Sequence, residues 1–163
     1  KWAWCAHGRV EGFATYMTGE VYDVLARHSI LGRLMAGDHG HDAEAFAHGV
    51  ARARASAGAP PGRLLRDLFS ARTLGLMAEL PAEGLSSYLS GLLIGAEAAA
   101  ALTDTPADHV TILGADALSA RYAEAIAAMG ARAEIGDADA AARGLHAIAR
   151  AAGLIEEKEH GDG

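Results

Sequence analysis

One stretch, Asp108 to Gly130, limits the folds open to this chain more than any other. It opens with a short β-favouring apolar run, Val110, Ile112 and Leu113, and turns at Gly114-Ala115-Asp116. From Leu118 the apolar positions move to helical spacing: Leu118, Tyr122, Ala125, Ile126 and Met129. Gly130 stands where a left-handed residue would end that helix, and Arg132 to Ile135 reads as a further strand. Two strands joined through a helix pair in parallel with a right-handed crossover, so the closing part of the chain is α/β. The corner at Gly114 also sets backbone N–H groups and the positive end of a helix dipole at the strand's end. A nucleotide fits such a corner, and so does an ordinary strand-to-helix turn.

The preceding residues suit this plan. Lys1 to His7 alternates bulky and small residues with Trp2 and Trp4 on one face, and His7-Gly8 reads as a turn. Arg9 to Met17 reads as a second strand with Val10, Phe13 and Tyr16 in the core. Thr18 is the expected N-cap of a helix over Glu20 to Arg27 with Val21, Val24 and Leu25 inward. Ile30 to Met35 is an apolar link, and Asp42 caps a helix from Ala43 to Ser56 that buries Phe46 and Val50. After the break at Gly58-Ala-Pro-Pro-Gly62, a helix carries Leu64, Leu65, Leu68 and Phe69 and bends or ends near Arg72 to Gly75. Pro81 is expected in the first turn of the longest helix, whose face is Leu85, Tyr88, Leu89, Leu92, Leu93 and Ala96. Gly91 and Gly95 in that helix admit close backbone approach. Asp137 or Asp139 caps a last helix with Leu145 and Ile148 inward, stopped by Gly153. The predicted order is a β-hairpin, four or five helices, then β-α-β-α.

Composition excludes some roles. The 163 residues carry a formal charge of −7, with Arg spread along the helices, so nucleic acid and anionic membrane surfaces are poor partners. The longest apolar run, Leu92 to Leu102, is broken by Glu97 and falls short of the ~20 residues a membrane span needs. The single Cys5 cannot form an internal disulfide and fits a reducing, cytoplasmic setting. Cys5 reads as a small strand residue, and Trp2 and Trp4 as core or interface anchors. The chain begins at Lys1, inside a strand, and is read as a fragment.

Several side chains invite a chemical role. Asp38-His39-Gly40-His41-Asp42 has metal-ligating residues, but it lies in a glycine-flanked loop with no second ligand cluster at matching spacing. It is read as a solvated loop, and no metal site is assigned. His28 stands at a helix end, where an imidazolium meets the C-terminal dipole. Arg72 suits a carboxylate or phosphate anion, or equally a surface salt bridge.

Four segments together carry a resemblance: Phe13-Ala-Thr-Tyr-Met-Thr-Gly-Glu20, His28-Ser-Ile-Leu31, Tyr88-Leu-Ser-Gly-Leu-Leu-Ile-Gly-Ala-Glu97 and Leu118-Ser-Ala-Arg-Tyr122. They strongly resemble the 2-dehydro-3-deoxygalactonokinase family, sugar-acid kinases of the actin/hexokinase-like ATPase superfamily. The likeness runs in order from Lys1 to about Leu154. It implies transfer of the γ-phosphate of ATP, with Mg²⁺, to the terminal hydroxyl of 2-dehydro-3-deoxy-D-galactonate in galactonate catabolism. It further implies the C-terminal domain of an actin-like ATPase (ribonuclease H-like) fold, truncated at its N-terminal side and carrying several inserted helices. That domain is expected over residues 1–154, with 155–163 a mobile polar tail. The implied partners are the small sugar-acid substrate and the missing N-terminal half of the same protein; a homo-oligomer stays open.

By the same resemblance Gly114, Ala115 and Asp116 form the turn that receives adenosine. Many relatives have a second glycine where this chain has Ala115, whose methyl group narrows the approach. Ser90 and Gly91 are the second choice for the wall of that pocket. Thr18, Gly19 and Glu20, with Arg72, are the expected phosphate or substrate edge. No catalytic base is assigned, since phosphoryl transfer needs a carboxylate that the resemblance places in the missing half. Without the domain's central strand the hairpin and the Val110 strand cannot share a ladder, so the polypeptide alone is expected to be marginally stable or aggregation-prone. The alternative is a non-catalytic α/β interaction or regulatory module that keeps the kinase fold.

Overall fold

The computed structural model describes residues 1–36, 40–60, 62–137 and 139–155. Strands β1 (Trp2–Ala6) and β2 (Arg9–Ala14) form an antiparallel hairpin. Its two-residue turn has positive φ at both His7 (52°) and Gly8 (74°), the primed geometry that matches the twist of paired strands. Four helices follow: α1 (Thr18–His28), α2 (Ala43–Ala55), α3 (Arg63–Leu76) and α4 (Leu85–Asp104), with a 3-10 turn at Gly32–Leu34. The chain closes with β3 (His109–Ile112), α5 (Asp116–Ala128), β4 (Arg132–Ile135) and α6 (Ala140–Ala151). The order is the one the sequence predicts, and β3 pairs with β4 in parallel from His109↔Arg132 to Ile112↔Ile135. Gly130 has φ +95°, the left-handed residue that ends α5.

Helix α4 is the axis of the molecule. Leu89 and Leu93 pack with Leu31 and with Val21, Tyr22 and Leu25 of α1. Tyr88 and Leu92 meet α2 and α3 at Ala45, Ala53 and Ala71. Ile94 and Ala98 meet Phe46 and Val50 of α2 and Ala125 and Ile126 of α5. A helix that is apolar all round must be covered all round. By length and composition α4 could cross a membrane, yet 72% of its most apolar window is buried inside the protein, as befits a core helix.

The contact of α2 with α4 is backbone on backbone. A Cβ on Gly49 would overlap the carbonyl oxygen of Tyr88, and one on Gly91 would overlap that of Phe46. One on Gly95 would come within 2.9 Å of the Ala53 Cβ. Alanine-rich helices supply little side-chain area each, so they gain contact by approaching closely. Asp42 caps α2 as expected, its Oδ1 accepting from the Ala45 amide at 3.0 Å.

Several expected core residues lie outside the core. Val10 and Phe13 are exposed, Phe13 at 79%. In the hairpin register Ala3↔Phe13 and Cys5↔Val10 share one face, while Trp2 and Trp4 occupy the other, and the tryptophan face is the one turned inward. No described element covers the first face, and β1–β2 and β3–β4 are two separate sheets. On α3, Leu64, Leu65 and Phe69 are exposed, and Asp67 and Ala71 are buried instead. Asp67 sets that rotation by reaching α2: Arg52 donates to it at 2.8 Å and Ser56 at 2.6 Å. Pro81 belongs to a turn before α4, its carbonyl accepting from the Gly84 amide, and the helix starts at Leu85. Val24 of α1 and Leu118 of α5 are exposed.

Leu145 and Ile148 of α6 are exposed too, at 70% and 67%, because no other described element covers that face. Asp139 is the N-cap position of α6 but makes no side-chain cap. Asp137 does the local work, accepting from the Asp139 amide at 2.8 Å and from Arg143 at 2.9 Å. Asp38 and His39 of the loop singled out above, and the tail from 156 to 163, lie outside the described residues. His41 stacks edge-on against Phe46 at 5.3 Å, so its ring completes the core rim.

Candidate nucleotide site

At the C-terminal end of β3 the chain opens a cavity of ≈ 270 Å³. Its floor is the end of the strand, from Val110 to Leu113, with the turn at Gly114 and Ala115. Leu118, Ser119 and Tyr122 of α5 form one wall, and Trp2 of β1 with Glu97 of α4 the other. Strand ends of parallel α/β units are where ligands bind, because the backbone there turns away and leaves its polar groups free.

Ala115, the residue before α5, brings no side-chain cap to the helix start. The first amide donors of α5 are thus left without a side-chain acceptor at the mouth of the cavity. Within it, Ser119 is 2% exposed, and its Oγ is a buried polar atom with no hydrogen-bond partner. A buried hydroxyl without a partner costs free energy, about 1–3 kcal/mol, that a bound acceptor or donor would recover. A Cβ on Gly114 would come within 3.3 Å of that Oγ, so the hydroxyl lies directly under the glycine turn at the edge of the cavity. Such a lining can take the flat face of an aromatic ring against Val110 and Leu118, with polar edges toward Ser119 and the helix start.

The cavity walls share a polar network. Glu97 is 5% exposed and accepts from Trp2 Nε1 at 2.9 Å, from Tyr122 OH at 2.7 Å and from Thr18 Oγ1. Burial, then the hydrogen bond and the charge of Glu97, push the Tyr122 phenol well above its ordinary pKa, so it stays a donor. The nearby Tyr16 phenol is raised as well, by burial and by the charges of Asp104 and Glu97.

The residues singled out in the sequence fare differently. Gly114 and Ala115 line the cavity, and Asp116 opens α5 beside it, exposed. Thr18 is the first residue of α1 rather than its N-cap, which is Met17, and its hydroxyl turns inward to Glu97. Gly19 and Glu20 are exposed at the start of α1. Ser90 and Gly91 are buried in α4, Gly91 against Phe46, and neither lines the cavity. Arg72 lies on α3, its Nη1 donating to the Ile30 carbonyl at 3.0 Å. Three residues went unassigned from sequence: Ser119, Glu97 and Tyr122. For Glu97 the signal was present, a lone acid in the otherwise uncharged run from Leu85 to Ala101. A charge there must be buried, and a buried charge needs partners.

A family profile described as 2-keto-3-deoxy-galactonokinase matches residues 1–148. A probable 2-dehydro-3-deoxygalactonokinase of Rhizobium meliloti (strain 1021) is 39% identical over 160 residues, covering 93% of this chain and 49% of the relative. The 2-dehydro-3-deoxygalactonokinase of Escherichia coli (strain K12) is 35% identical over 131 residues, covering 80% and 43%. The crystal structure of a Sinorhizobium meliloti protein assigned as a 2-dehydro-3-deoxygalactonokinase superposes with a TM-score of 0.81 at 37% identity, over 94% of this chain and 51% of that one. The chain therefore spans about half the length of these relatives.

Proposed function

Because the chain belongs to the 2-keto-3-deoxy-galactonokinase family, we propose that the intact protein is a cytoplasmic sugar-acid kinase. It transfers the γ-phosphate of ATP to the terminal hydroxyl of 2-dehydro-3-deoxy-D-galactonate, yielding the 6-phosphate and ADP in galactonate catabolism. The observation that carries this reading is the family match along residues 1–148. The cavity at Gly114 supports it, since it offers a nucleoside an unpartnered buried hydroxyl at Ser119 and an uncapped helix start.

In this reading Gly114, Ala115 and Asp116, with Ser119, form the adenosine side. Gly19 and Glu20 at the start of α1 lie on the phosphate side, where backbone donors favour anions. Gly91 serves the α2–α4 contact, Ser90 is buried beside it in α4, and Arg72 donates to the Ile30 carbonyl. Among the described residues no group of three or more His, Cys, Asp or Glu side chains could hold a metal ion. A magnesium ion would enter on the ATP phosphates, as this small and strongly hydrated ion commonly does.

The fold reading extends the same way, to the C-terminal domain of an actin-like, ribonuclease H-like ATPase over residues 1–154. Supporting it, β1 and β3 face each other across a cavity of ≈ 740 Å³ lined by Lys1 to Ala6 on one side and His109 to Thr111 on the other. A strand entering there from the other half would hydrogen-bond both free edges and join the two ladders into one sheet. The kinase reading is tested by incubating the intact protein with ATP, Mg²⁺ and 2-dehydro-3-deoxy-D-galactonate. The expected result is ADP release with a sugar-acid product heavier by one phosphoryl group. No phosphorylated product with any 2-keto-3-deoxy acid overturns the reading.

A further inference from the structure

The network at Glu97 joins by hydrogen bonds three elements that otherwise meet at α4 through apolar packing. Trp2 belongs to the hairpin, Thr18 begins α1, Tyr122 is on α5, and all three donate to one carboxylate on the central helix. Oε1 takes the indole, while Oε2 takes both hydroxyls. Each of these donors is neutral, and among the described residues no Lys or Arg pairs with Glu97. An acid kept in the core without a counter-ion, yet fully hydrogen-bonded, holds its neighbours in one arrangement, because any shift leaves a buried group without a partner.

Two of the donors stand at functionally different places. Tyr122 lines the cavity at Gly114, together with Glu97 itself. Thr18 does not line it; it opens α1, and its hydroxyl points to Glu97. We propose that Glu97 is a positioning residue that fixes the start of α1 relative to the cavity wall on α5, and that Thr18 affects a bound nucleotide through Glu97 rather than by touching it. This rests on the nucleotide reading of the cavity. It differs from the sequence expectation, in which Thr18 itself belongs to the ligand edge.

The chemistry of the amide gives a discriminating variant. In Glu97→Gln the side-chain oxygen can still accept from Trp2, and the NH₂ can donate to the Thr18 and Tyr122 oxygens once each hydroxyl turns its own hydrogen away. Geometry survives and charge is lost. In Glu97→Leu the shape is similar, but all three partners are orphaned.

The experiment measures the Kd of ATP with Mg²⁺ by calorimetry on the intact protein and its Glu97→Gln, Glu97→Leu, Thr18→Val and Thr18→Val/Glu97→Leu variants. Glu97→Leu and Thr18→Val are each expected to weaken ATP by about 3- to 30-fold. Glu97→Gln should stay within about threefold of wild type, and Thr18→Val should add nothing in the Glu97→Leu background. Multiplying effects in the double variant would mean that Thr18 touches the ligand, and a Gln variant as weak as the Leu variant would mean that charge matters; either overturns the proposal. Should Glu97→Leu not fold, Thr18→Val and Tyr122→Phe form a second cycle through the same oxygen. Coupled effects there uphold the proposal and independent ones overturn it. A wild-type protein that binds no ATP removes the nucleotide reading and this one with it, whereas a binding wild type with independent variants removes this one alone.

Discussion

The indole Nε1 of Trp2 donates to Oε1 of Glu97 at 2.9 Å, across a sequence separation of 95 residues. This is the polar tie of the hairpin to the central helix, since β1 and β2 pair only with each other. Replacing Trp2 with Phe keeps most of the ring's apolar area but leaves the carboxylate one donor short. Chemical denaturation of the intact protein should show a loss of about 1–3 kcal/mol. A change below about 0.5 kcal/mol would show that water takes the donor's place.

The α2–α4 crossing has no room for a methyl group. Gly49→Ala and Gly91→Ala each set a Cβ against a backbone carbonyl, Tyr88 for the first and Phe46 for the second. Backbone cannot rotate aside as a side chain can, so each substitution should cost about 3 kcal/mol or more, at the upper end of overpacking. The denaturation midpoint of each variant checks this, with Gly144→Ala as the control, since a Cβ there meets nothing within 4 Å.

Asp67, 1% exposed, is held by Arg52, Arg63 and Ser56. Burial alone would raise its pKa, but the hydrogen bonds from Ser56, Arg52 and Arg63 and the charge of Arg52 outweigh it, so the carboxyl lies below its ordinary value. A group lowered in the folded state binds its proton more readily when unfolded. Its stabilising contribution is complete above the unfolded carboxylate value, about 3.9, and is lost as pH falls through the lower folded value. Asp67→Asn should therefore cost about 3–5 kcal/mol at neutral pH and show a shallower loss of stability below about pH 4. Melting curves from pH 7 downward measure both; an unchanged acid slope would refute the assignment.

Gly114→Trp should abolish ATP binding without unfolding the intact protein. The turn is exposed, so a large side chain can be accommodated, but the glycine's Cβ position already lies 3.3 Å from Ser119 Oγ at the cavity. Calorimetry with ATP, alongside circular dichroism to check folding, decides it. Unchanged ATP affinity would refute the placement of the adenosine turn.

The polypeptide of 163 residues taken alone should aggregate, for Phe13, Leu145 and Ile148 stand exposed and the two sheets have free edges. Phe13→Lys with Ile148→Lys should raise its solubility without altering its far-ultraviolet circular dichroism. A cooperative unfolding transition of the unmodified polypeptide, with no aggregation, would contradict this.

Several local signals in the chain stand in the structure. The cap at Asp42, the left-handed ends at Gly130 and Gly153, the primed turn at His7-Gly8 and the parallel closing unit all stand in the structure as read. Some readings of helix starts failed, at Thr18, Pro81 and Asp139, and the other failures concern which face of an element is covered. Periodicity shows that α6 has an apolar stripe containing Leu145 and Ile148, but not that another element lies against it. On α3 the hydrophobic pattern was misleading, because the position that turns inward is Asp67, held there by Arg52, Arg63 and Ser56, while Leu65 stays exposed.

By itself the sequence determined the element order, the α/β class, the Asp42 cap, the glycine ends of α5 and α6 and the family likeness, all of which depend on residue types at short spacing. Tertiary structure decided the site. Ser119 becomes a candidate contact only when its hydroxyl is seen buried and unpartnered beside Gly114. Glu97 changes from an interruption in an apolar helix to the meeting point of Trp2, Thr18 and Tyr122. Hydrogen bonds across 95, 79 and 25 residues have no periodicity to betray them, because they depend on how helices pack rather than on how any one helix is written.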